Sequence, residues 1–164
     1  MDTTLIISAG VLVGCIISLS WFAGSDAPYV PTKMDYIKKI LRLAGVRKGK
    51  RFYELGSGDG RVIREAAKLG ADSIGIEQSL IRILMSKQKA KDFKNAYFYH
   101  GNIFSKNYSD GDILYIYLLL KGVSRLEIKL KKELKKGSVV ITQTYHFSNW
   151  KPFKKVGNFW LYRR

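Results

Sequence analysis

The chain has 164 residues, enough for one domain with a single core. Its net charge of +16, from 29 Lys and Arg against 13 Asp and Glu, implies attraction to something anionic: nucleic acid, an acidic protein or an anionic membrane surface. A lone cysteine (Cys15) excludes an intrachain disulfide and a cysteine-based metal cluster, and the isolated His100 and His146 point to no metal site.

Uncharged residues run without interruption from Thr3 to Ser25, with Leu5, Ile6, Ile7, Val11, Leu12, Val13, Ile16, Ile17 and Leu19 as the apolar mass. As a helix this run is about 34 Å long, against about 30 Å for a hydrocarbon core. A cleaved signal peptide is the competing reading; it needs positive charge before the run and a small-x-small site after it. Asp2 precedes the run instead, and Trp21-Phe22 stand where the cleavage region would begin. That favours an uncleaved, single-pass membrane anchor over residues 3–25. No Lys or Arg precedes it, while Lys33, Lys38, Lys39, Arg42, Arg47, Lys48, Lys50 and Arg51 soon follow. The positive-inside rule then puts the N-terminus outside and the remaining chain on the cytoplasmic, or equivalent interior, side. Trp21, Phe22 and Tyr29 would mark the inner interface, and Gly10-x-x-x-Gly14 is a spacing that lets two anchors pack as a dimer.

Residues 26–32 (Asp-Ala-Pro-Tyr-Val-Pro-Thr) read as an extended linker, because the residue before a proline avoids the helical region. Residues 33–164 then form the folded domain. Thr32 is a plausible N-cap for a helix with Met34, Ile37, Ile40, Leu41 and Ala44 at helical spacing, ended near Gly45. A first strand over Arg51–Glu54 leads into a glycine-rich turn and a helix reaching Gly70. A second strand, Ser73–Glu77, precedes a helix through Ile81, Leu84 and Met85. Ala96–His100 and Asp112–Leu118 are the third and fourth strands, the latter nearly all apolar or aromatic, as a central parallel strand should be. Ser124–Lys136 is an amphipathic helix carrying Leu126, Ile128, Leu130 and Leu134, and Ser138–Tyr145 is a fifth strand. Phe153–Val156, a Gly157-Asn158 turn and Phe159–Tyr162 close the chain as a hairpin. The alternation predicts a doubly wound α/β, Rossmann-like sheet with a C-terminal antiparallel hairpin.

Glu54-Leu-Gly-Ser-Gly-Asp-Gly60 is the ligand-binding corner of such a sheet. A pyrophosphate wants a helix N-terminus free of negative charge, yet Glu54 and Asp59 bracket this loop. Acidic groups suit a ligand with an ammonium and a sulfonium, so the expected cofactor is S-adenosylmethionine, held by Glu54, Gly56, Ser57, Gly58 and Gly60. Glu77, at the end of the second strand and followed by Gln78, is placed to accept hydrogen bonds from ribose hydroxyls. Asn102, at the end of the third strand, is a candidate partner for the adenine amino group, with Ile103 against the ring; Gly-Asn is also an ordinary turn. Along Asp112–Leu118, alternation puts Leu114 and Ile116 on one face and Tyr115 and Tyr117 on the other. The Asn/Asp-Pro-Pro-Tyr/Phe sequence of nucleobase-amine methyltransferases is absent here, which counts against DNA or mRNA bases and leaves other RNA targets open.

Pro28-Tyr-Val-Pro-Thr32, Leu55-Gly-Ser-Gly-Asp-Gly-Arg61, Ile74-Gly-Ile-Glu77, Ile113-Leu-Tyr-Ile-Tyr-Leu118 and Trp150-x-Pro152 occur in this order behind the apolar run. This set resembles the small class I (seven-β-strand) protein-lysine N-methyltransferases that modify the ATP synthase c subunit and the adenine nucleotide translocase, and their anchor-less archaeal relatives. The resemblance implies transfer of a methyl group to a lysine amine of a membrane-associated protein. It places Tyr29 and Thr32 near the reacting end of the cofactor, while Tyr29, Tyr115, Tyr117 and Trp150 are candidates for an aromatic pocket that desolvates and orients the amine. No residue reads as a dedicated general base. Methylation of RNA or a lipid head group, and a non-catalytic membrane-tethered binding module, are the rival readings.

Overall fold

The computed structural model describes residues 2–22 and 30–164, with side chains on the first helix described through Ile16. Of the sequence-predicted features, Tyr29, most of the linker and the side chains of Trp21 and Phe22 lie outside the described residues. Helix α1 (Thr3–Phe22) is 20 residues long. Its described large apolar side chains, such as Leu5, Ile7, Val11 and Leu12, are all exposed, and Gly10 and Gly14 face open space. Among the described residues no helix is long and apolar enough to cross a membrane.

The domain follows as α2 (Met34–Leu43), β1 (Arg51–Leu55), α3 (Arg61–Lys68), β2 (Asp72–Glu77), α4 (Leu80–Lys89) and β3 (Ala96–His100). Then come β4 (Ile113–Ile116), α5 (Leu120–Glu133), β5 (Val139–Gln143), β6 (Lys154–Val156) and β7 (Phe159–Arg163). The strands form one seven-stranded sheet in the order β3-β2-β1-β4-β5-β7-β6. β1 pairs parallel with both β2 and β4, with Leu55 between Ile76 and Ile116, while β7 runs antiparallel between β5 and β6. This is the doubly wound sheet and antiparallel hairpin that the alternation of elements predicts. The order in which the chain adds strands across the sheet reverses between β1 and β4, and the crevice at such a switch point is where these folds bind ligands.

Strand alternation divides the core into two layers. On one face Phe52, Tyr115 and Ile141 pack against Ile37, Ile40 and Leu41 of α2, Val62 and Ile63 of α3 and Ile83 of α4. On the other, Leu55, Ile76, Leu114, Ile116 and Val140 pack against Val123, Leu126 and Leu130 of α5. Glu54 falls on the α2–α4 face by the same alternation.

Four local expectations are corrected. Thr32 does not cap α2: Lys33 occupies the N-cap position without a side-chain bond, and the Thr32 hydroxyl sits 3.4 Å from that of Tyr115. The fourth strand is shorter at both ends: Tyr117 and Leu118 lie past its last pair, and Asp112 stands just before it, its carboxylate accepting from Arg51 N at 2.9 Å and pairing with Lys135 at 3.0 Å. The fifth stops at Gln143, since Thr144 turns away with φ 68°. In α5 the buried stripe runs Val123, Leu126, Glu127, Leu130, so Ile128 is left 77% exposed. The buried Glu127 carboxylate accepts from Ser148 N (3.0 Å) and Asn149 N (2.8 Å), holding the loop after β5.

Gly60 shows why the loop needs glycine. It has φ +71°, and a Cβ there would lie 2.5 Å from Phe98 Cε1. Gly60→Ala is expected to destabilise the fold by about 2–4 kcal/mol, combining left-handed strain with overpacking. Denaturant unfolding measures this, and an unchanged midpoint would contradict the packing described.

Candidate active site

The glycine loop is held over the end of β2 by its own backbone. Gly56 N and Ser57 N both donate to the Ile76 carbonyl, at 2.9 and 3.0 Å, and Gly60 N donates to Ser57 O at 2.8 Å. Glu77 reaches across from β2: Oε2 accepts from Gly58 N and Oε1 from Ser79 N, both at 3.0 Å, with Arg82 Nη1 3.4 Å from Oε1. An ionised carboxylate offers about four acceptor sites, so one remains for a ligand hydroxyl. Ser79 also accepts from Arg82 N at 3.4 Å, starting α4 immediately after this acid.

These elements border a cavity of about 290 Å³ at the C-terminal ends of β1, β2, β4 and β5. Its loop side includes Glu54, Gly56, Ser57, Gly58, Asp59, Ile76, Glu77, Gln78 and Ile103, with Arg61, Val62 and Arg82 also on the lining. The opposite side consists of Val30, Pro31 and Thr32, then Tyr117, Leu118 and Leu119 after β4, and Thr144 and Tyr145 after β5.

The two acids that bracket the loop behave differently. Burial alone would raise Asp59, but hydrogen bonds from Arg61 (2.9 and 3.0 Å), with its charge and that of Lys89 (3.5 Å), hold its carboxyl below the usual range. Its charge is therefore compensated within the protein. Burial, reinforced by the charges of Asp59 and Glu77, pushes the Glu54 carboxyl well above the usual range. Glu54 Oε2 and Ser57 Oγ are buried on the cavity wall without a hydrogen-bond partner among the described residues. Each unsatisfied buried polar group costs about 1–3 kcal/mol, so the wall favours a ligand that supplies donors there.

S-adenosylmethionine fits this donor and acceptor set. Glu54 would take its ammonium, Glu77 a ribose hydroxyl, the glycines would allow close backbone approach, and Ile103, on the cavity lining, would offer an apolar surface to the adenine. Across from the loop the wall is mainly apolar and aromatic (Val30, Pro31, Tyr117, Leu118, Leu119 and Tyr145), with the Arg61 guanidinium 3.5 Å from the Thr32 carbonyl at its margin.

Of the residues singled out from sequence, Thr32, Glu54, Gly56, Ser57, Gly58, Glu77, Gln78, Ile103 and Tyr117 line the cavity. Tyr115, Gly60, Asn102 and Trp150 do not. Tyr115 is 1% exposed, donates to Gln143 Oε1 and meets Thr32 Oγ1; burial holds its hydroxyl far above the usual phenol range, so it stays protonated. Gly60 lies beneath the loop against Phe98. Asn102 is exposed and its Oδ1 accepts from Phe104 N at 2.9 Å, the ordinary turn that competed with the adenine role. Trp150 stacks on Phe147, centroids 5.4 Å apart, and its Nε1 donates to Arg163 O at 3.2 Å. Sequence reasoning missed Asp59's pairing with Arg61, which their i,i+2 spacing could have suggested. It also missed Thr144 and Tyr145, for which no local signal exists.

Known proteins match this geometry. A family model described as the ANTKMT methyltransferase domain matches residues 54–154. A protein-lysine N-methyltransferase of Saccharolobus islandicus is 33% identical over 130 residues, covering 76% of this chain and 81% of that protein. The human lysine N-methyltransferase of the ATP synthase c subunit is 28% identical over 133 residues, covering 79% of this chain and 57% of that protein. The chain thus spans little more than half the length of the human relative. Among solved structures, an RNA methyltransferase from Salinibacter ruber in complex with S-adenosyl-L-homocysteine superposes with a TM-score of 0.74 at 29% identity. That match covers 82% of this chain and 92% of the other.

Proposed function

We propose, from the premise that this chain belongs to the ANTKMT methyltransferase domain family and is an S-adenosylmethionine-dependent methyltransferase, that it methylates lysine side chains of a membrane-associated protein. The observation that carries the lysine reading is the 33% identity, over most of both chains, to a protein-lysine N-methyltransferase. The cofactor, when bound, supplies a methyl group already activated on sulfur. What remains for the protein is to present an uncharged amine in line with it. Lysine must first lose a proton, and its free pKa is about 10.4. The aromatic and apolar side chains of Tyr117, Leu118, Leu119 and Tyr145 lower that value by desolvating the ammonium. Transfer would form the nitrogen–carbon bond as the methyl–sulfur bond breaks, the sulfur keeping the electron pair as a neutral thioether, and the amine would give up one proton to solvent before transfer and a second after it.

The membrane assignment rests on the uncharged run from Thr3 to Ser25 and the basic residues that follow it. In this reading the uncharged run over residues 3–25, which extends past the described α1, is the anchor, with the domain on the interior side and its cavity kept near the bilayer by the short segment before α2. Deleting residues 1–25 should leave methylation of a short lysine peptide unchanged while sharply reducing labelling of a membrane fraction. Equal labelling of membrane and soluble proteins by both forms would remove the anchor's role in substrate choice.

The RNA methyltransferase match and the +16 charge favour a second reading, methylation of RNA. Nuclease treatment separates the two: lysine methylation persists when RNA is digested, whereas label carried by RNA is lost.

A further inference from the structure

The strand order divides the cavity. The glycine loop, Glu77 and Gln78 belong to the β1–β2 side, whose groups fit the cofactor; Tyr117–Leu119 and Thr144–Tyr145 follow β4 and β5 across the switch point. The acceptor must therefore approach along the second side, and one segment of that wall has an unusual backbone. Thr144 is the only non-glycine residue with positive φ, 68°, among the described residues. For a β-branched residue this is an outlier of the kind that persists only when the surroundings enforce it.

The surroundings do enforce it. Tyr145 N donates to Gln143 O at 2.8 Å, closing a three-residue turn centred on Thr144. Thr144 N donates to Asn158 O at 2.8 Å, and Asn158 Nδ2 reaches Thr144 Oγ1 at 3.4 Å, so the β6–β7 turn clamps the residue. On the near side the Gln143 side chain accepts from Tyr115. On the far side Phe147 N donates to the Tyr162 hydroxyl at 3.0 Å, and the buried Glu127 carboxylate holds Ser148 N and Asn149 N. Both flanks of Tyr145 are thus fixed. Its side chain, half-buried against the α5 layer, forms the cavity wall contributed by β5, as Tyr117 forms that contributed by β4.

From this arrangement we infer that Thr144 and Tyr145 are specificity-determining residues for the acceptor amine: the strained turn at Thr144 fixes Tyr145 as the second aromatic wall, with Tyr117, of the channel through which the amine enters. The inference rests on the lysine reading above. Two aromatic faces attract an approaching ammonium and exclude water as it deprotonates. Because the turn is held from outside the cavity, the wall is set before the acceptor binds and costs it little ordering.

The test uses the full chain, S-adenosylmethionine and a short lysine peptide. Tyr145→Ala should raise the peptide KM about tenfold or more while the cofactor Kd, from calorimetry, stays within about twofold. Tyr145→Phe, which keeps the ring, should recover most of that loss. Thr144→Pro, whose ring fixes φ near −65° and whose nitrogen cannot donate to the Asn158 carbonyl, cannot form the turn and should raise the peptide KM. A Tyr145→Ala enzyme with unchanged peptide KM, or with cofactor Kd weakened by the same factor as peptide KM, overturns the inference. Should Tyr145→Ala fail to fold, an unchanged KM in Tyr145→Leu, which keeps the bulk without the aromatic face, overturns it equally. Absence of turnover on the peptide by the parent enzyme removes the lysine reading and this inference with it, an outcome distinct from turnover that the variants leave untouched.

Discussion

Replacing Glu77 with alanine should reduce S-adenosylmethionine affinity by about 1.5–3 kcal/mol, some 10- to 150-fold, the scale of a hydrogen bond to a charged acceptor. The same carboxylate holds Gly58 N and Ser79 N and stands beside Arg82, in a pair whose side chains are only 6% and 7% exposed. Removing one member of a buried pair costs about 3–5 kcal/mol, so the alanine variant should also unfold at markedly lower denaturant concentration. Glu77→Gln separates the two effects. Its amide oxygen still accepts one bond, whereas its NH₂ donates where the carboxylate accepted, so affinity should fall with a smaller loss of stability. Calorimetric affinity unchanged in a folded Glu77→Ala protein would remove the ribose assignment.

Cofactor binding should also strengthen with rising pH and release a proton, and Glu54 is the source. The groups facing it are Asp59 on the loop, Glu77 on β2, Arg61 on α3 and Tyr115 on β4. Asp59 is held ionised by Arg61 and Tyr115 stays protonated, while the Glu54 carboxyl is pushed well above its usual range and so is expected to titrate when a cationic ligand binds. An acid whose folded pKa lies above its unfolded value binds more protons in the native state. The native chain therefore loses stability as pH rises from the ordinary carboxylate value of 4.5 toward the raised one, and the penalty is constant beyond it. A cationic ligand reverses the balance by favouring the carboxylate. Below the raised pKa, each pH unit should then tighten binding by up to about tenfold, with one proton released. Glu54→Gln should flatten the profile and abolish the release. Titration in two buffers of different ionisation enthalpy measures it, at pH values below about 7.7, where the cofactor's own amino group stays charged. A pH-independent affinity in the parent protein would contradict the assignment.

The parts of this site that were legible in the sequence are those fixed by local chemistry. Glycines at Gly56, Gly58 and Gly60 declare left-handed backbone between a strand and a helix, and a carboxylate ending an apolar Ile-Gly-Ile strand declares Glu77. The parallel pairing of the first five strands followed from alternation because a parallel neighbour needs a crossover. Contacts made across the chain were not legible. Alternation placed Tyr115 and Tyr117 on one face correctly, but burial of the Tyr115 hydroxyl depends on Thr32 and Gln143, 83 and 28 residues away. The Thr144 turn depends on Asn158, 14 residues on, and nothing in Gln-Thr-Tyr announces it. In α5 the helical stripe passes through Glu127 rather than Ile128 because the loop amides at Ser148 and Asn149 need an acceptor there. Hydrophobicity alone would have chosen the isoleucine.

The central claim, methyl transfer to lysine, is tested most directly by incubating the full chain with deuteromethyl-labelled S-adenosylmethionine and a membrane extract. Digestion and mass spectrometry then assign every labelled atom. The predicted result is deuteromethyl on lysine ε-nitrogens of membrane-associated proteins, lost in the Glu77→Ala enzyme. Label confined to RNA or lipid head groups, with none on lysine, would contradict the account.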